Sequence, residues 1–196
     1  AILLISSFFL LTPKQPLVSE SIKIKHVKII PNDDVLLVMG DSSITLENNA
    51  QIQLDKQGLV ILDLKSQVVK SEEISNRSTA NKLIVPYGKR SSVILSDGSK
   101  LWVNSGTTVE YPTTFEGATR NIKVEGEIYI EVAKDKQKQF IVSTPKFDVK
   151  VFGTTFNVSA YSQDKSSYVV LVEGKVSVNK EGCETSISPN ELYKST

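Results

Sequence analysis

The most constraining feature of the sequence is a strict two-residue alternation from Ile122 to Val132. Ile122, Val124, Ile128, Ile130 and Val132 occupy the even positions, and Gly126 fills the gap in that series. Lys123, Glu125, Glu127, Tyr129 and Glu131 occupy the odd ones. A helix would scatter this pattern around its circumference; an extended strand puts one set in a core and the other in water. Just upstream, Val93-Ile94-Leu95 meets Ser96-Asp97-Gly98-Ser99 before apolar residues resume at Leu101-Trp102-Val103. That reads as strand, tight turn, strand, with Asp-Gly supplying the positive φ angles a hairpin turn needs.

The same grammar extends along the chain. Leu17 to Leu64 is a run of short strands broken at Gly40, Asn48-Asn49 and Lys56-Gln57-Gly58. Segment 42–54 aligns without gaps on 91–103, which suggests one hairpin used twice in stacked β-units. From Ser66 to Lys82 the alternation fades into polar residues, the signature of a linker. Phe147, Val149 and Val151 alternate up to Gly153, after which Phe156, Val158 and Ala160 carry the pattern one residue out of phase. A slip at a glycine marks a bulge or a sharp bend. Tyr168–Val172 and Val176–Val178 read as a last hairpin around Glu173-Gly174, and Ser186–Thr196 as a polar segment leading into a domain absent from this chain. No sustained helical periodicity occurs beyond the apolar start. The expected fold is all-β: many short antiparallel strands in a twisted sandwich or a solenoid-like stack.

The first residues, AILLISSFFLL, are uncharged up to Lys14. Three origins fit them: the remnant of a transmembrane helix, the apolar region of a secretory signal, or a buried strand or helix. Either of the first two would place the residues after Pro13 outside the cytoplasm. The expected organisation is a membrane-helix remnant at 1–12, a strand-rich lead-in at 13–65, a linker at 66–84, a β domain at 85–180 and a polar C-terminal segment at 181–196. A net charge of +1 and only three arginines, Arg77, Arg90 and Arg120, argue against nucleic acid as a partner. Cys183 is the single cysteine, so no intrachain disulfide or cysteine metal cluster can form.

No catalytic constellation emerges, and neither a metal nor a cofactor is expected. Glu125, Glu127 and Glu131 share a strand face and could in principle do acid–base work, but a solvated face explains them as well; Glu127 could instead hold Arg120 or a backbone amide. His26 stands alone, without partners for a metal site or a triad. Gly153–Asn157 lacks the lysine and following helix of a phosphate loop. Asn104 and Asn157 are expected to bond neighbouring backbone. Trp102 is either packed in the core or half-buried, or else an exposed anchor for a partner or a sugar, and Tyr129 is the more attractive surface candidate, since isoleucine and valine already fill its strand's inner face. Contact with a partner is therefore expected at Tyr129, Glu127, Glu131 and Trp102.

From Val85 to Val178 the chain resembles the FecR-type domain of the iron-dicitrate-sensor class of anti-sigma factors, most closely its Bacteroides-like members. The resemblance rests on VPYGKRS (85–91), LSDGSKLWVNSGT (95–107), YPTTF (111–115), the pattern from Arg120 to Tyr129, FIV (140–142), FGTTFNVSAY (152–161) and LVEGKVSV (171–178). It marks Gly88, Asp97, Gly98, Asn104, Tyr111, Arg120, Gly126, Gly153, Phe156, Asn157 and Gly174 as signature structural positions. Ile128 and Ile130 stand where Ala and Phe are usual, and Gln139 where Pro is. The resemblance implies a single-pass inner-membrane protein with this chain mostly periplasmic. Its partners would be the signalling domain of an outer-membrane TonB-dependent transporter and, through a cytoplasmic part absent here, an extracytoplasmic-function sigma factor. On the residues alone a second class stays open, an extracytoplasmic carbohydrate-binding β-module with Trp102, Tyr111, Tyr129 and Tyr161 lining a groove.

Overall fold

The computed structural model of the chain describes residues 34–40, 42–54, 59–62, 68–72 and 80–196. Every element in these segments is a strand, many of them patterned by alternating apolar residues, and the strands form two sheets whose buried apolar residues merge into one hydrophobic cluster. The first sheet runs in the spatial order β2 (Ser42–Leu46), β1 (Val35–Met39), β6 (Asn81–Val85), β9 (Thr107–Tyr111), the start of β10 (Thr119–Glu131), β11 (Gln139–Ser143), β12 (Asp148–Val151), β15 (Val176–Lys180) and β16 (Cys183–Ile187). The second runs β5 (Val68–Glu72), β4 (Leu59–Leu62), β3 (Gln51–Leu54), β7 (Ser91–Ile94), β8 (Lys100–Val103), the end of β10, β13 (Thr155–Ala160), β14 (Ser167–Glu173) and β17 (Leu192–Ser195). The architecture is all-β, as the alternation requires.

Strand β10 belongs to both sheets. Lys123–Glu125 pair with β9 in the first sheet, and Gly126–Glu131 pair with β13 in the second. The bend falls at Gly126, whose φ of 120° no ordinary L-residue adopts comfortably. The chain crosses again right beside it, between β8 and β9. There Thr107 Oγ1 accepts from the Glu127 amide at 2.9 Å, and the Asn104 amide donates to the Glu127 carbonyl at 3.0 Å. A Cβ on Gly126 would sit 2.4 Å from Thr107 Oγ1 and 2.7 Å from its Cα. The two backbones can lie this close only because one of them carries no side chain.

The opposite edge is a second stack of crossings. The chain passes between sheets at 132–138, at Phe152–Thr154 and at Gly174–Lys175, and these corners bond one another. The Val132 amide donates to Thr154 O at 3.0 Å, the Asp135 amide to Phe152 O at 2.9 Å, and Thr154 Oγ1 to Lys175 O at 3.0 Å. A Cβ on Gly153 would meet Lys134 Cα at 2.7 Å. The phase slip read at Gly153 is thus a change of sheet: Phe147, Val149 and Val151 point into the core from one side, and Phe156, Val158 and Ala160 from the other.

Several expectations change. Segments 42–54 and 91–103 are not the same hairpin. β7 and β8 do pair antiparallel, but β2 and β3 lie in different sheets, β2 beside β1 and β3 between β4 and β7. The 167–180 region is likewise a corner and not a hairpin, because β14 pairs with β13 and β17 while β15 pairs with β12 and β16. Alternation reports which face is buried and is silent on the hydrogen-bonding neighbour, so consecutive strands look like hairpins in either case. Nor is every pair antiparallel: β10–β11 and β3–β7 are parallel. In the first of these, the end of β10 and the return through 132–138 supply the crossover a parallel pair requires.

The Asp97-Gly98 turn is present, with Gly98 alone among its residues at positive φ; the Gly98 amide donates to Leu95 O and the Leu95 amide to Ser99 O, both at 2.9 Å. Both ends of the 66–84 stretch are strand, β5 and the start of β6. Its polar look has a plain cause at the β6 end, where Asn81 takes an inward position. Residues 181–196 contain β16 and β17, which lie at the outer edges of the two sheets. The lead-in strands β1 and β3 pair with β6 and β7, so they share sheets and core with 85–180. The apolar stretch at 1–12 and His26 lie outside the described residues, among which no helix is long and apolar enough to cross a membrane.

Candidate functional site

The outward faces of the strands decide what a partner would meet. On the second sheet, register brings Gln51, Ser92, Trp102, Tyr129, Asn157, Val170 and Leu192 into one row across seven strands, β3, β7, β8, β10, β13, β14 and β17. Alternation alone forces each of these side chains away from the core, since its neighbours Leu101, Ile128, Phe156 and Val169 point inward. Trp102 is 43% exposed and Leu192 54% exposed. Of the alternatives for Trp102, packing in the core is ruled out: it lies on the solvent face, directly opposite Tyr129. The two rings are 5.5 Å apart and tilted by 58°.

These rings form one side of a shallow concavity of about 430 Å3, lined also by Glu127, Asn157, Asn104, Val103, Ser91, Ser92, Asn49 and Arg90. Three of the four anticipated contact residues, Trp102, Tyr129 and Glu127, thus lie together. Glu131 is on the same outer face one step along β10, opposite Lys100 and Thr155. Glu125 falls on the other side of the Gly126 bend, where Ser162 Oγ donates to it at 2.5 Å. The three glutamates therefore do not form one carboxylate row. Glu127 does not hold Arg120 either; its Oε1 lies 3.5 Å from Asn157 Nδ2. Asn157 sits mid-strand in β13 with its amide facing the concavity, and so does not serve as a turn residue.

Arg90, Asn49 and Ser92 were not anticipated. They arrive because the loop before β3 runs beside the loop before β7: the Asn49 amide donates to Arg90 O at 2.8 Å, and the Arg90 amide to Asn48 Oδ1 at 2.9 Å. No local pattern signals a contact between residues so far apart in the chain. Asn49 did offer one cue, since asparagine tolerates the left-handed conformation it adopts here, with φ of 64°.

Other signature positions lie in the core, at turns and at the corners between the sheets. Arg120 is 2% exposed and pairs with Asp97 at 2.8 Å, binding the β7–β8 turn to the start of β10. Its Nε donates to Lys138 O at 3.0 Å and its Nη1 to Ala133 O at 2.9 Å, while the guanidinium stacks 5.2 Å from the Phe140 ring centre. Ser99 Oγ bridges Asp97 and the Ala133 amide. Phe156 is wholly buried. Gly88 and Gly174 take positive φ, the first in the turn closed by Lys89 N–H to Pro86 O, the second at the corner against Thr154. Tyr111 is buried, and burial alone pushes its phenol well above the ordinary range. This removes it from any sugar-binding groove, so the four-ring groove of the alternative reading does not form. Tyr161 donates its hydroxyl to Ser105 O at 2.8 Å, away from the row, and desolvation raises its pKa.

Residues 81–177 match the family model described as FecR protein. The chain is also similar to two crystal structures of a provisionally named anti-sigma factor from Parabacteroides distasonis ATCC 8503. One is 37% identical, with a TM-score of 0.58 over 59% of this chain and 54% of the other. The second is 38% identical, with a TM-score of 0.57 over 58% and 53%. The match thus spans about half the length of those structures. No curated protein matches the chain.

Proposed function

Residues 81–177 make this chain a FecR-type protein of the anti-sigma factor class, and on that premise we propose that it is the periplasmic, signal-receiving part of a single-pass inner-membrane anti-sigma factor. It relays the state of an outer-membrane TonB-dependent transporter to an extracytoplasmic-function sigma factor, by protein contact and without catalysis. The observation that carries this reading is the FecR match, which spans the double sheet from β6 to β15 and includes both sets of corner glycines and the Arg120–Asp97 pair. The rigid strands of the second sheet support it by offering a solvent face for a partner. In this proposal Trp102 and Tyr129 are the anchors, and Glu127 and Glu131 surround them with charge. Aromatic anchors of this kind carry a disproportionate share of binding energy at protein interfaces.

The test is calorimetric titration of the 196-residue chain against the N-terminal signalling domain of a TonB-dependent transporter from the same organism. Saturable one-to-one binding, weakened about tenfold or more by Tyr129→Ala, is the expected outcome. A folded sample that binds nothing at about 100 μM, well above the range of specific signalling contacts, would remove this partner.

A further inference from the structure

The face that carries Trp102 and Tyr129 also holds a concavity with a polar rim. We propose that this concavity is a binding site for a neutral saccharide of one or two pyranose rings. A pyranose has an apolar face of C–H groups with a slight positive potential, which suits the negative face of an aromatic ring. Trp102 offers such a face at 43% exposure, and Tyr129 leans on it at 58°, forming a corner and not a flat platform. The sugar's rim of hydroxyls needs side chains that both donate and accept. Asn49, Asn104, Asn157 and Ser92 do both, Glu127 accepts and Arg90 donates. Arg90 and Glu127 bring one charge of each sign, so the lining has no net charge and favours a neutral ligand over a phosphate or a carboxylate. The Asn157–Glu127 contact, at 3.5 Å, is at the outer limit of a hydrogen bond, which leaves both groups available to stronger partners. A volume of about 430 Å3 lies at the small end of ligand sites. Trp102, Tyr129 and Asn157 all project from paired strands, so their geometry is fixed before the ligand arrives.

The site shares Trp102, Tyr129 and Glu127 with the proposed partner face, but sugar binding is measured without the transporter, so the two readings fail separately. Trp102 is the only tryptophan in the chain, so its emission reports on this concavity alone. The experiment titrates the 196-residue chain with cellobiose, maltose, lactose, mannobiose, xylobiose and chitobiose, following tryptophan fluorescence and, in parallel, calorimetric heat. At least one disaccharide is expected to give a saturable emission change with a Kd in the millimolar range, about 1–10 mM. Asn157→Ala and Glu127→Gln should each weaken it about fivefold, as expected for one lost hydrogen bond, and Trp102→Ala should abolish the heat. The proposal is overturned if no disaccharide changes the emission at about 50 mM, far above that range. It is overturned equally if the calorimetric heat of binding survives Trp102→Ala.

Discussion

Gly126→Ala tests whether the bend in β10 holds the two sheets together. At φ 120° an L-residue is strained, at a cost of about 1–3 kcal/mol. The added methyl would lie 2.4 Å from Thr107 Oγ1 and 2.7 Å from Thr107 Cα. A side-chain oxygen can rotate away, but the Cα cannot, so β9 and β10 must separate. That overpacking costs a further 1–3 kcal/mol or so. Separation also stretches the 2.9 Å bond from the Glu127 amide to Thr107 Oγ1, with a net loss of about 1 kcal/mol. Together these give roughly 3–7 kcal/mol, against a typical total stability of about 5–15 kcal/mol. For a chain of this size Tm should fall by about 6–28 °C. Gly98→Ala is the control: its φ is also positive, at 83°, but an added Cβ meets nothing within 4 Å, so only a strain of about 1 kcal/mol remains. Urea unfolding followed by circular dichroism measures both variants. If Gly126→Ala costs no more than Gly98→Ala, close backbone approach at the bend is not what the glycine provides.

Two further perturbations concern the interior. Asp97→Ala leaves Arg120 buried without its counter-charge and should cost about 3–5 kcal/mol in urea unfolding, whereas adding Arg120→Met should recover part of that loss; a double variant at least as unstable as the sum would contradict the pairing. The Tyr111 hydroxyl is buried with no hydrogen-bond partner among the described residues, so Tyr111→Phe should be neutral or stabilising by up to about 1 kcal/mol. Its phenol is raised above the ordinary value of 10.0, so the folded state keeps a proton that the unfolded state releases. The stability this represents is complete below pH 10 and declines as pH rises beyond it, and the decline should be shallower in Tyr111→Phe. A phenolate absorbance that reaches its full tyrosine count before unfolding begins would refute this.

How much was legible in the chain can be seen at particular residues. The burial of β10 alternates as its sequence does, with Arg120, Ile122, Val124, Gly126, Ile128 and Ile130 all inward. Arg120 is the one inward residue that polarity would have put in water. Only its distant partners, Asp97 and the carbonyls of Ala133 and Lys138, explain its burial. Strand β16 was read as a polar tail because an edge strand with its first four residues exposed has no apolar rhythm to display. The aromatic corner illustrates the same division. Trp102 and Tyr129 each read as possible surface residues, but their meeting depends on the β8–β10 register, and Arg90 and Asn49 join them only through two parallel loops.

The sequence by itself determined that this chain is built of strands, which residues face inward, and where glycine must bend the backbone. Those properties are local: a period of two, a positive φ and the absence of a Cβ are set within a few residues. Only the tertiary structure decided which strands pair beyond the β7–β8 hairpin, that β10 serves both sheets, and that the Trp102 concavity exists. Strand neighbours are chosen by hydrogen bonds between residues far apart in the chain, and alternation is identical whichever neighbour is chosen.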